Sequence, residues 1–298
     1  MVGEHLDPSR RHLLDLAPVE RISAIKKDLW VHHSQYEQIE FIMKMMMSNR
    51  GNQISAECLA VLGPTGAGKT SFLKGCRRSK DDWAQQLIHF QVKPEIGYRK
   101  FVAQLFEAVG EPVHRDASVR GAFRYETFSE ILTAKNKAGI AFDDMHDFGK
   151  NNRDQLAQIL ILIRGLTAWP CSLSIFGFGL PATKSLFKNE GQLDRRVERI
   201  ELAPWQEHDP ELLDFLDVIE QLYPLREPSD LSDPIIVRSL YERSSGVIGM
   251  MIKLLKAAAC YAVATGDERI TVDNIILAHK SPLGWVRHLN DLYEKHSI

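Results

Sequence analysis

Residues Gly63 to Thr70 read GPTGAGKT, and they follow the apolar run CLAVL at 58–62. Glycines placed this closely let the backbone curl until successive N–H groups face one point. The next residues, KTSFLKGCRRS, predict a helix whose first unpaired N–H groups open onto the same point. Such a turn gathers anionic oxygens. Lys69 adds a compact positive charge suited to the outer phosphates of a nucleoside triphosphate, and Thr70 adds a hydroxyl for a divalent cation. Gly63, Pro64, Thr65, Gly66, Ala67, Gly68, Lys69, Thr70 and Ser71 are therefore the expected nucleotide site, with ATP and Mg²⁺ as the expected cofactors.

A phosphate loop of this kind needs a neighbouring strand that ends in an acid. IAFDDMH, at 140–146, supplies one. Asp143 is expected to serve the metal, directly or through water. Asp144 stands where ATPases of this kind commonly carry Glu, so its carboxylate falls about one methylene short of an attacking water and hydrolysis is expected to be slow. His146 has two open readings, a reporter on the nucleotide or a capping residue in solvent. QLDRRVERIEL, at 192–202, carries Arg195, Arg196 and Arg199. One of these can complete the phosphate site of a neighbouring copy, an effect worth roughly 10³–10⁵ in rate. The alternative is a solvated helix end whose ion pairs contribute about 0–1 kcal/mol each.

The rest of the chain supports a layered α/β reading. Apolar strand candidates at 87–92, 140–148, 171–179 and 199–202 alternate with helical patterns over 98–110, 123–139 and 153–169. This is the pattern of parallel βαβ units in a three-layer αβα core. Residues 1–55 read as a helical extension, with Ile39, Ile42, Met43 and Met46 on one helix face. From Pro204 the character changes. The segment 205–233 holds nine acidic residues and one basic residue, and helical patterns follow it. The expected organisation is 1–55 helical extension, 56–203 nucleotide-binding core and 204–298 small helical lid.

Composition narrows the class without naming a partner. The 298 residues are 44% hydrophobic and 26% charged, with a net charge of -2, which excludes a disordered or fibrous chain. Nucleic-acid binding then has to come from local patches. KGCRRSK at 74–80 has no acid, Arg99 and Lys100 open one helix, and Arg115, Arg120 and Arg124 precede another. These cations either track phosphates or form solvated helix faces. The four cysteines lack metal-ligand spacing and are expected to be reduced, buried thiols. The N-terminal residues lack an apolar leader, and no run of about 18 uncharged apolar residues occurs. The expectation is a cytoplasmic protein with no membrane partner.

The order AVLGPTGAGKTSFL, AGIAFDDMHDF, LSIFGFGLPATKSL, GQLDRRVERIELAPW and SSGVIGMMIKLLKAAA resembles the TniB/TnsC family of AAA+ transposition regulators. The resemblance spans residues 13 to 279. It implies an ATP-dependent homo-oligomer, a ring or helical filament, wrapped around duplex DNA without sequence preference. It also implies partners: a DDE transposase that the assembly recruits, and a target-selection protein. Carried over residue by residue, Lys69 and Thr70 match the nucleotide pair, Asp143 and Asp144 the second acidic motif, and Arg196 the residue acting on the neighbouring subunit. Arg99 and Arg120, with Lys100 and Arg124 beside them, fall where the family meets the DNA backbone. This sequence departs from the pattern at three places. Asp144 replaces Glu, Phe178 stands where a small polar residue senses the outer phosphate, and Met250 replaces a sensing Arg, with Lys253 one turn away. The motifs alone also admit a small-molecule kinase or stand-alone NTPase, or a nucleotide switch that changes only partner affinity.

Overall fold

The computed structural model describes residues 3–28, 30–51, 54–111, 123–188 and 191–289. They form two compact units, one of residues 35–202 and one of 1–34 with 203–298. The strands are β1 (Cys58–Leu62), β2 (Leu87–Gln91), β3 (Gly139–Asp143), β4 (Ser174–Gly179) and β5 (Val197–Glu201). The longer helices are α1 (Pro18–Lys26), α2 (Ser34–Ser48), α3 (Lys69–Arg78), α4 (Tyr98–Ala108), α5 (Tyr125–Ala134), α6 (Arg153–Thr167), α7 (Pro210–Leu222), α8 (Pro234–Ser244), α9 (Ile248–Thr265) and α10 (Val272–Lys280).

The first unit is a parallel sheet in the order β2-β3-β4-β1-β5, covered on both faces. Side chains alternate across the strands. Cys58, Ala60, Leu62, Ile88, Phe90, Ile140, Phe142 and Ile175 pack under α4, α5 and α6. Leu59, Val61, Leu87, Ala141, Phe176 and Phe178 pack under α2 and α3. Burial on both faces explains why β1 and β3 read as continuous apolar runs rather than alternating ones. The edge strand β5 is different: Glu198, Arg199 and Glu201 are exposed, and such charges discourage pairing with another sheet.

The expected elements are present with shifted ends. The helix expected over 123–139 stops at Ala134 because Asn136 takes a left-handed φ of 51° and Lys137 N–H bonds back to Leu132. Gly139 therefore opens β3 instead of closing the helix. On α2 Ile39, Met43, Met46 and Met47 are buried, and Met45 faces out. All four cysteines are buried and unpaired, and burial pushes the Cys58 thiol up to about 12. The first 55 residues do not form one body: those up to Ser34 belong with 203–298, and α2 beyond Ser34 belongs with the sheet.

The second unit is helical. Asp209 and Asp233 cap α7 and α8, accepting from Glu211 N–H at 3.0 Å and Ile235 N–H at 2.8 Å, each with Pro at the first helical position. Arg21 on α1 is 2% exposed, pairs with Glu268 and donates to the Pro224 carbonyl. Gly246 is required: its φ is +74° and a Cβ there would lie 2.0 Å from the Trp205 carbonyl oxygen. Helix α9 has the length and composition of a membrane span, which the sequence was not expected to contain, but it carries Lys253 and Lys256 and packs as the core helix of this unit.

His33 packs edge-on against Trp205 and Phe215, and desolvation pushes its imidazole down to about 4 from 6.5. A depressed histidine makes the unfolded chain the better proton binder below pH 6.5, so stability falls as pH drops from 6.5 towards 4. Between pH 7 and pH 5 this group should remove about 2 kcal/mol. Thermal melts of wild type and His33→Phe across that window should show a shallower pH slope in the variant.

Candidate nucleotide site

The loop between β1 and α3 has the backbone its glycines predict. Gly66 and Gly68 adopt φ of +86° and +87°, and Gly68 is the residue before the first turn of α3. Side chains would be strained there. The α2 residue Tyr36 donates from its hydroxyl to the Gly68 carbonyl at 2.8 Å. Its ring lies 5.2 Å from Phe72 on α3, and Phe72 stacks on Phe178 at 5.7 Å. Phe178, at the strand end where a polar sensor was expected to be missing, thus braces the helix that carries the loop.

Lys69 is 8% exposed, and its Nζ donates to the Gly63 and Pro64 carbonyls at 2.7 and 2.8 Å. Burial lowers its pKa, opposed by the nearby charges of Asp144 and Asp143. The Thr70 hydroxyl donates to Asp143 Oδ1 at 3.3 Å, and Asp144 N–H donates to the same oxygen at 3.0 Å. Burial, with the like charge of Asp144 behind it, raises the Asp143 carboxyl above its ordinary value despite those bonds. One hydroxyl and one carboxylate side by side, with remaining ligands left to phosphate and water, is a donor set that fits Mg²⁺. Among the described residues no group of three or more His, Cys, Asp or Glu competes as a metal cage.

Asp144 follows β3 in a left-handed conformation, φ 55° and ψ 39°, with its side chain 41% exposed. Gln91 Nε2 donates to its Oδ2 at 2.8 Å. Gln91 is the last residue of β2 and lies opposite Asp143 in register. It was absent from the sequence reading, although pairing LIHFQ against GIAFD places it there. Tyr36 was also absent, and nothing in its surroundings marks it before the fold is known. His146 stands 4.0 Å from Asp144 and 3.7 Å from Asp147, whose carboxylate Lys150 reaches at 2.7 Å. It shares an acidic turn and touches no loop residue in these contacts.

The arginines fall elsewhere. Arg196 immediately precedes β5, where Val197 is level with Cys58, and the loop begins only after Leu62. At about 3.3 Å per residue the two ends of the sheet are separated by roughly 16 Å. Arg196 donates from Nη1 to Thr167 Oγ1 at 3.0 Å, while Arg195 is exposed and Arg199 pairs with Asp194. Arg99 and Lys100 are exposed at the start of α4, and Arg124 is exposed before α5. Tyr98, beside Arg99, packs against the core cluster that includes Phe123, beside Arg124. Arg115 and Arg120 lie outside the described residues. In the helical unit Met250 and Lys253 are exposed.

A parallel sheet with a glycine loop over β1, a paired Thr and Asp, and a helical unit after the last strand defines an AAA+ ATPase fold. Its sequence matches the family described as bacterial TniB protein over residues 21–207, and the chain belongs to that family. No curated protein matches it. Among solved structures it is similar to ORC2 of Aeropyrum pernix in its ADPNP-ADP complexes, at 14% identity and TM-score 0.61, over 88% of this chain and 71% of that one. It is similar to ORC1 of the same organism in complex with DNA, at 18% identity and TM-score 0.56, over 87% and 68%. It is also similar to Cdc6p of Pyrobaculum aerophilum, at 17% and 0.59, over 83% and 67%. At these identities the likeness is one of fold.

The Tyr36 bond generates a test of the site. Tyr36→Phe keeps the ring on Phe72 and removes one hydrogen bond to the loop, a loss of about 1 kcal/mol. Affinity for a fluorescent ATP analogue should fall about fivefold, and Lys69→Ala in the same titration should abolish binding.

Proposed function

We propose that this protein is an ATP-dependent regulator of DNA transposition. In this reading it binds duplex DNA without sequence preference, oligomerises on it, and recruits a DDE transposase. Slow ATP hydrolysis then releases the assembly. The supporting observation is membership of the TniB family together with the split of the site, in which the phosphate loop and Arg196 occupy opposite ends of one sheet.

The roles follow from position. Lys69 leaves the Gly63 and Pro64 carbonyls and turns its ammonium to the outer phosphates. Thr70 and Asp143 would hold Mg²⁺, which when bound neutralises charge on the phosphate oxygens. Asp144 orients the attacking water once Gln91 lets go of its carboxylate, so the resting hydrogen bond and the short side chain both favour a long-lived bound state. Arg196 cannot reach the loop of its own chain and acts on the next copy. Arg99, Lys100 and Arg124, all exposed, face the DNA backbone as point charges. Arg120 joins them in the same role.

Two outcomes follow. Duplex binding measured by anisotropy should strengthen when a non-hydrolysable ATP analogue is added. It should weaken roughly 10³-fold between 50 and 200 mM salt if about six phosphates are contacted. Equal binding with and without nucleotide contradicts the reading. Arg196→Ala should keep nucleotide affinity within about twofold yet lose DNA-dependent turnover by roughly 10³-fold. Normal turnover in that variant removes Arg196 from the chemistry.

A further inference from the structure

Trp169 is 81% exposed and Ile54 is 99% exposed, the two highest values among the exposed large apolar side chains described. They belong to one structural feature. Ser55 and Ala168 form an antiparallel bridge, reinforced by Ala56 N–H donating to the Thr167 carbonyl at 2.8 Å. Ile54 and Trp169 are the residues that adjoin this bridge on its outer side, one on each segment. Thr167, on the inner side of the same bridge, is the residue whose hydroxyl holds Arg196. Arg196 is further fixed through its own carbonyl, which accepts from Cys58 N–H at 3.2 Å. An unsheltered tryptophan, an unsheltered isoleucine and an anchored arginine are thus locked to one end of the sheet, and they sit opposite the end that carries the phosphate loop.

Tryptophan and arginine are the side chains that most often dominate the energetics of protein interfaces. A monomer gains nothing from presenting an indole to water, because apolar surface left wet forfeits the free energy of its burial. We propose that Trp169, with Ile54 carried by the same bridge, is the apolar anchor with which this end of the sheet docks on the nucleotide-bearing end of a second copy of the chain, seating Arg196 at that copy's phosphates. The occupant is a second copy because the arginine held by the same bridge has no phosphate site within reach of its own chain. The proposal rests on the assembly reading above and gives that assembly its contact residues. The indole supplies the adhesion, and the arginine supplies the charge.

The experiment uses the full chain with a non-hydrolysable ATP analogue and duplex DNA. Sedimentation velocity reads assembly for wild type, Trp169→Ala and Trp169→Phe, and a fluorescent ATP analogue reads nucleotide affinity for each. The expected result is at least a tenfold rise in the protein concentration needed for half-assembly of Trp169→Ala, with nucleotide affinity unchanged. Trp169 is one of five tryptophans, so its burial is followed by difference. Assembly should shift wild-type emission to the blue, and the shift should be lost in Trp169→Phe, a variant that removes little bulk from an exposed position. Assembly of Trp169→Ala at the wild-type concentration overturns the anchor, as does an unchanged emission shift in Trp169→Phe. A fall in nucleotide affinity parallel to the loss of assembly also overturns it, since the residue would then act on folding of the site. A wild-type chain that binds nucleotide and stays solitary on duplex overturns the assembly reading itself.

Discussion

A strand without a single polar side chain, β1, has to be paired on both edges and covered on both faces. Each large apolar residue buried this way contributes about 1.5–3 kcal/mol, and the pairings with β4 and β5 leave none of its backbone groups to water. Once β1 is central, Gly63 must emerge where the carboxyl ends of the parallel strands converge. Asp143 emerges there too, but β4 lies between them in the sheet. The end of β4 is built to leave room. A Cβ on Gly177 would lie 2.2 Å from Met145 Sδ, and one on Gly179 would lie 2.3 Å from Thr183 Oγ1. The glycines of the GFG run let the turn after β3 fold across β4, and the hydroxyl of Thr70 and the carboxylate of Asp143 come within hydrogen-bond distance.

The loop, the acidic strand end and the parallel sheet were legible because each depends on local rules: backbone freedom at glycine, strand burial on both faces, and helix starts. What could not be read is what depends on a partner distant in sequence. Tyr36 matters only because α2 packs over the loop, 32 residues away. Gln91 matters only through its register against β3, a pairing that sequence suggests but does not fix. The division of the first 55 residues was equally hidden. The α1 pattern is an ordinary amphipathic helix, and its place in the helical unit depends on Ile22 and Ile25 packing in that unit's core and on the bond from Arg21 to Glu268, 247 residues away.

The charges of the site are arranged to be incomplete. Lys69, Asp143 and Asp144 form a cluster with two negative charges against one positive charge. Burial penalises both Lys69 and Asp143, and Lys69 is satisfied only by loop carbonyls. A polyanion accompanied by a divalent cation relieves both penalties together, since the ammonium gains phosphate oxygens and the carboxylate gains a cation. Neither partner alone does so. Gln91 meanwhile takes the place of water at Asp144, its amide donating to the carboxylate.

Incompleteness also appears at the level of the sheet. The strands run parallel, so every carboxyl end faces one way and every amino end the other. The residues that hold phosphate emerge at the first end, and the residue proposed to act on it emerges at the second. The pairing of β5 with β1 holds Arg196 at the end of the sheet away from its own loop. On the proposed function, turnover is conditional on two copies meeting end to end, whereas nucleotide binding needs only one. Binding first and chemistry after assembly is the order that this proposal gives the sheet. In that same proposal the short Asp144 carboxylate, one methylene back from the water a Glu would reach, lengthens the interval between them.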